Sequence, residues 1–368
     1  MNGRERITNI LHGKKVDRVA WTTISDDLTR SSMTAKYKDV PILDFYREIG
    51  CDIIQFGPYG MPEHSKPKYP FEIISHLTET TEIHQDGSSA YRRELQGRHL
   101  VQVVKNGHPI KYPVETKTDL SILLEMWEAC QIIPVSDGCW ESFSRTENEV
   151  GEDGLFAPTL LPSPVQQLIE NECGPENFYY LLNDERELME QTMAAMYGIR
   201  RTEYRFMAEN TPFELIIPVE NTSTSLISPD IYRKYTLPHM REYSDIMHRN
   251  GKKSVIHMCG HLKNLMDEFK DADIDGIHAL TPPTIGDCPY ETALDALGDG
   301  LIIIGVLDPT VFQNPYANAG EIRACVKRIL TPRIKASNFI LWPATDGLRT
   351  ELWRLQAVRD AIEEYGAK

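Results

Sequence analysis

Beyond residue 210 the apolar positions fall into a regular rhythm. Short runs that are apolar on both faces, residues 213–218, 254–259, 276–280, 301–306 and 339–342, alternate with longer stretches in which apolar residues recur at helical spacing. One such stretch opens on Ser228 before Pro229, an N-cap followed by proline in the first turn. It continues through Ile231, Tyr235, Met240, Tyr243 and Met247, and stops at Gly251. The last repeats the spacing through Leu352, Leu355, Val358, Ile362 and Tyr365. Strands apolar on both faces and joined by crossover helices predict a parallel sheet covered on both sides.

The N-terminal third is less regular. Residues 5–11 have a short helical pattern, and 51–56 predict a strand ending at the turn pair Gly57-Pro58. Between 71 and 113, two alternating stretches, 79–84 and 91–104, flank Asp86-Gly87, the signature of a hairpin. This segment is expected to be an antiparallel excursion from the main body, a flap over a site. Five strand–helix units after residue 210, with room for three upstream, favour a closed eight-stranded α/β barrel over an open doubly wound sheet. No glycine-rich phosphate loop follows any of these strands. The expectation is one barrel domain over 1–368, with an N-terminal extension and the 71–113 excursion.

Charge and cysteine usage narrow the chemistry. The 368 residues carry 39 Lys and Arg against 54 Asp and Glu, a net charge of -15, which opposes nucleic-acid binding through a broad basic face. No apolar run approaches the ~20 residues of a membrane span, and residues 1–6 are polar and charged, without the apolar segment of a secretory leader. A cytoplasmic protein is expected. The seven cysteines are odd in number and dispersed, so reduced thiols are expected in a chain too large to need disulfide staples.

In parallel barrels, chemistry sits at the C-terminal ends of the strands. The run 254–259 ends in His257-Met258-Cys259-Gly260. Side-chain alternation puts positions 257 and 259 on one side, roughly 6 to 7 Å apart along the strand. A neutral imidazole and a thiolate are a donor pair that suits zinc. Glu220, closing the preceding run, is the candidate third ligand, since a buried carboxylate needs a metal or hydrogen-bond donors to satisfy it. His278 and Asp308 close the next strands and are candidates for outer partners that orient the ligands. The competing reading of each residue alone is structural: a hydrogen-bonded core histidine, a buried thiol, a capping carboxylate.

These residues carry a resemblance. Arg4-Glu5-Arg6, Val16-Asp17-Arg18-Val19, Leu226-Ile227-Ser228-Pro229, Leu237-Pro238, His257-Met258-Cys259-Gly260 and Phe339-Ile340-Leu341 resemble the uroporphyrinogen decarboxylase superfamily, in its cobalamin-dependent methyltransferase branch. The likeness is dense over 212–366 and thin over 51–154. It implies a single (β/α)8 TIM barrel. The decarboxylases' substrate-binding Arg pair after the first strand has no counterpart in Trp21-Thr22-Thr23-Ile24-Ser25-Asp26, and their His near the last strand has none in Trp342-Pro343-Ala344-Thr345-Asp346-Gly347.

The methyltransferase branch implies zinc bound by a His-x-Cys pair, here His257 and Cys259, and by a second Cys whose place falls at about Thr345, beside Asp346. With an oxygen ligand in place of that thiolate, zinc becomes a harder Lewis acid, suited to methyl ethers or methanol-like donors. The expected activity is therefore zinc-dependent transfer of a methyl group between a small methylated substrate and a corrinoid (cobalamin) carried by a partner protein, in either direction. Two rivals are a metal-free decarboxylase or lyase with His257 as proton donor, and a non-catalytic corrinoid- or tetrapyrrole-binding barrel.

Overall fold

The computed structural model describes residues 1–62, 65–135, 138–345 and 347–368. The apolar runs become strands β1 (Ala20–Trp21), β2 (Ile53–Phe56), β9 (Gly154–Ala157), β10 (Thr159–Leu160), β11 (Leu215–Pro218), β12 (Lys253–His257), β13 (Gly276–Leu280), β14 (Ile302–Val306) and β15 (Asn338–Trp342). Seven form one sheet in the order β1-β15-β14-β13-β12-β11-β10, every pairing parallel. The eighth place belongs to β2, which pairs in parallel with β9, and β9 runs into β10 through Pro158. Between β1 and β2 the backbone link is the Asp52 N–H donating to the Trp21 carbonyl at 2.8 Å. This is the cyclic order of an eight-stranded barrel, with its β1–β2 seam closed by that bond and by side-chain bonds instead of a ladder.

Alternation divides the core into two layers. Ile54, Leu215, Ile217, Val255, Ile302, Ile304 and Ile340 share one apolar cluster, the barrel lumen. Their neighbours Ile53, Ile216, Ile256, Ile277, Ile303 and Leu341 join the cluster beneath the surrounding helices. Helix Gly3–Leu11, started by a reciprocal Asn2/Glu5 capping box, sends Ile7, Ile10 and Leu11 into the lumen cluster. The N-terminal extension thus closes the lower end of the barrel.

The excursion is a meander of β4 (Thr78–Ile83), β5 (Ser89–Leu95), β6 (Arg98–Lys105) and β7 (His108–Lys111), all antiparallel, while β3 (Phe71–Ile74) pairs with β8 (Gln131–Pro134). Asp86-Gly87 turns β4 into β5 as expected. The stretch 91–104, however, holds a second reversal at Gln96-Gly97, both with positive φ (51° and 82°), the backbone of a tight hairpin turn. The expected helix from Ser228 to Gly251 contains a π-helical turn, Tyr232–Thr236, ahead of Leu237–Arg249, because Pro238 has no N–H to continue the regular bonds. Among the described residues no helix is long and apolar enough to cross a membrane.

Candidate active site at the barrel mouth

At the C-terminal ends of the strands, the alternation that fills the lumen carries Phe56, His257, His278 and Trp342 into one aromatic layer. The His257 and His278 rings lie 4.8 Å apart, His278 stacks on Phe56 at 5.0 Å, and Trp342 lies 4.6 Å from His278. The two Nδ1 atoms approach to 2.6 Å, so one ring donates its N–H to the other. Burial pushes His257 down to about 4 and His278 well below the usual imidazole range, with the neighbouring His257 adding to the effect; both rings are neutral at pH 7. The register of β13 on β14 shifts between His278 and Leu280, where Ala279 has φ 68°. Such a bulge re-aims the side chain beside it.

Beyond His257 the chain leaves the strand. Met258 is buried and Cys259 is exposed, its Sγ 3.9 Å from Asn221 Oδ1. Gly260 has φ 102°, and a Cβ there would come within 2.8 Å of Ser223 Oγ, which accepts the His261 N–H. The turn that presents Cys259 therefore requires glycine.

The other sequence candidates are engaged elsewhere. Glu220 is 1% exposed, but the phase that sends Leu215 and Ile217 inward sends its side chain outward. Its carboxylate accepts the Ser163 N–H at 2.7 Å, Ser163 Oγ at 2.6 Å and Thr222 Oγ1 at 3.1 Å. Its charge bears on the buried hydroxyls of Tyr204, Tyr232 and Tyr243 under the helices. Among the described residues no three His, Cys, Asp or Glu side chains gather as a metal site. The structure therefore does not bring Glu220 together with His257 and Cys259, because adjacent strand ends can present opposite faces.

Asp308 caps the short helix Pro309–Phe312, accepting the Thr310 N–H at 2.9 Å and its hydroxyl at 2.7 Å. Thr345 is fully buried. Its hydroxyl donates to the Ile24 carbonyl at 2.6 Å and its own carbonyl accepts Thr29 Oγ1 at 2.6 Å, tying the last strand's exit to the first. Asp346 lies outside the described residues. Of the donors zinc would take, the structure offers the neutral His257 imidazole, its Nδ1 already held by His278 as ligating histidines usually require, and the exposed Cys259 thiol beyond the strand end. Glu220 does not fit that set.

Sequence reasoning missed a cavity of about 580 Å3 at the mouth, lined by Asp26, Phe56, Tyr59, Lys66 and Thr159 among others. Burial raises the Asp26 carboxyl, but the N–H groups of Thr29 and Gly347, both at 2.7 Å, outweigh it and hold it below the usual range. The one signal for Asp26 was its N-cap position, three residues before Thr29. Trp342 Nε1, in the same layer, is buried without a hydrogen-bond partner among the described residues.

The profile of the family described as uroporphyrinogen decarboxylase (URO-D) matches residues 167–365. Over 103 residues, 28% of this chain and 29% of the relative, the sequence is 31% identical to the methylcobamide:CoM methyltransferase MtbA of Methanosarcina acetivorans. The match thus takes in under a third of that relative's length. A solved methyltransferase from Methanosarcina mazei superposes over 99% of both chains with a TM-score of 0.61 at 14% identity, which establishes a shared fold. The superfamily expected from the motifs is the one the profile returns, and the MtbA match, over its 103 residues, falls in the expected methyltransferase branch.

Proposed function

Since the chain belongs to the uroporphyrinogen decarboxylase family, we propose that it is a methyltransferase of the corrinoid-dependent kind, moving a methyl group between a small methylated substrate and a corrinoid held by a partner protein. The observation that carries this reading is the His257–Cys259 exit of β12, set at the barrel mouth beside a 580 Å3 cavity. The MtbA likeness supports it. When bound, zinc on His257 and Cys259 would supply Lewis acidity at the atom that carries the methyl group, and the corrinoid a cobalt nucleophile for the methyl carbon. The protein's part is positional. His278 fixes the His257 ring through Nδ1, Phe56 and Trp342 wall off water, and Gly260 holds Cys259 at the rim. A lyase would ask His257 for a proton, but burial keeps that ring neutral and disfavours the role.

The test is incubation of the purified chain with reduced cob(I)alamin and a panel of methylated ethers, alcohols, thiols and amines. A methyl-cobalt absorbance spectrum formed with one class is expected. Cobalamin that stays unmethylated with every class, in the presence of zinc, would overturn the reading. In the same assay Cys259→Ser should lower the rate by about 100-fold or more, the loss of several kcal/mol of charge stabilisation. It should also lower bound zinc measured by atomic absorption, while the far-ultraviolet circular dichroism stays unchanged.

A further inference from the structure

A second cavity, of about 680 Å3, lies between the antiparallel excursion and the barrel mouth and shares Thr159 with the first. Val219, on its inner wall, bridges in parallel to His257, so the cavity opens beside the candidate site. Its outer wall is an aromatic corner of Tyr69 and Phe71, with ring centroids 5.9 Å apart and planes at 65°. The Tyr69 hydroxyl donates to the Thr159 carbonyl at 2.9 Å, which fixes that corner to β10.

The polar side of the cavity is acidic. Glu203 is paired with Arg200 at 2.5 Å, but Glu170 receives a neutral donor, Gln166 Nε2 at 3.0 Å. Among the described residues that line the cavity there is no lysine or arginine. Burial raises the Glu170 carboxyl, and the bonds that act against the rise come from neutral side chains, Gln166 and Asn221. A cation brought here would meet two aromatic rings and a carboxylate in a partly desolvated site, the arrangement that recognises methylated ammonium groups. An anionic substrate would face Glu170 unpaired with any cation of the cavity lining, since the Arg200 guanidinium behind Gln167 is neutralised by Glu203, and the net charge of -15 adds to the preference.

We propose that this cavity holds the substrate's methylated head, and that the head is an N-methylated ammonium cation seated on the Tyr69–Phe71 corner with Glu170 as its counter-charge. This rests on the methyl-transfer reading and names its substrate class, nitrogen-bound in place of the oxygen-bound methyl group that the ligand chemistry led us to expect. The test is isothermal titration of the full chain with three probes of similar size: phenyltrimethylammonium, methoxybenzene and 4-methoxybenzoate. The cation should bind about tenfold more tightly than methoxybenzene, and the benzoate more weakly than either. Glu170→Gln should abolish the cation's advantage and leave methoxybenzene binding unchanged, and Phe71→Leu should weaken the cation more than the ether. Equal or tighter binding of either methoxy probe, or cation binding indifferent to Glu170→Gln, overturns the proposal. If methoxybenzene methylates cobalamin while the cation neither binds nor donates, the substrate class is wrong and methyl transfer stands. If the cation binds as described but no donor class methylates cobalamin, the cavity assignment stands and methyl transfer falls.

Discussion

Asp52→Ala is expected to destabilise the protein by about 3 to 5 kcal/mol, measured by denaturant unfolding, the usual result of removing one partner from a buried ionic cluster. The Asp52 carboxylate is 3% exposed and sits at the β1–β2 seam. It binds Arg6, receives Arg18 Nη1 at 2.8 Å, and accepts the Trp21 N–H at 3.2 Å. Because no ladder joins β1 to β2, these bonds, the Asp52 N–H and the Ile54 N–H, which donates to Thr22 Oγ1 at 3.2 Å, carry the join that a strand pair elsewhere distributes over many groups. The change also leaves the buried Arg6 guanidinium with Asp17 as its remaining carboxylate partner. As a control, Asp245→Ala breaks the exposed Arg249–Asp245 pair and should leave the unfolding midpoint unmoved. A loss at Asp52 below about 1 kcal/mol would mean that the seam is held by packing alone.

The second large effect is a pH dependence centred on Glu220. Burial, reinforced by the negative Glu170, pushes its carboxyl up from 4.5 to about 7 despite the bonds from Ser163 and Thr222. The folded state therefore binds a proton more tightly than the unfolded chain. The stabilisation from the protonated form is complete below about pH 4.5 and is lost as pH rises through about 7. A shift of this size corresponds to about 3 kcal/mol. Buried His239 and His257, both pushed down to about 4, act in the opposite sense and lose stability as pH falls. The difference between wild type and Glu220→Gln isolates the carboxylate. Relative to wild type, the glutamine variant should gain about 3 kcal/mol between pH 4.5 and pH 8 in denaturant titrations. A flat difference would mean that the bonds from Ser163 and Thr222 hold the carboxyl near its ordinary range despite its burial.

Much of the architecture was legible because it is periodic. Runs such as Ile302–Val306 are apolar on both faces, and a strand with that pattern has to be covered on both sides, which specifies a parallel sheet with crossover helices. Turn chemistry was legible where it is conventional, as at Asp86-Gly87. It was missed at Gln96-Gly97, because glutamine gives no warning of positive φ and the flanking alternation continues through the reversal. The π-helical turn before Pro238 was missed because proline at that place also suits an ordinary helix start.

At the site, the sequence by itself determined that His257 closes a strand in the lumen phase, since the period of two is a property of the chain, whereas Cys259 lies beyond β12 and outside that alternation. It also determined that the mouth would hold them, since the chemistry-bearing residues cluster at the ends of the predicted strands. Only the tertiary structure decided which faces of neighbouring strands meet. Glu220 follows β11 by one residue too many to face the lumen, so it meets Ser163 and the helix layer instead of His257. His278 becomes the partner of His257 because the parallel register of β12 on β13 sets the two side by side. The Tyr69–Phe71 corner reaches the mouth only because the excursion folds back over β10. Phase within a strand is local and can be read from alternation, whereas phase between strands depends on register, bulges and the path of the connecting chain, and those are settled when the sheet closes.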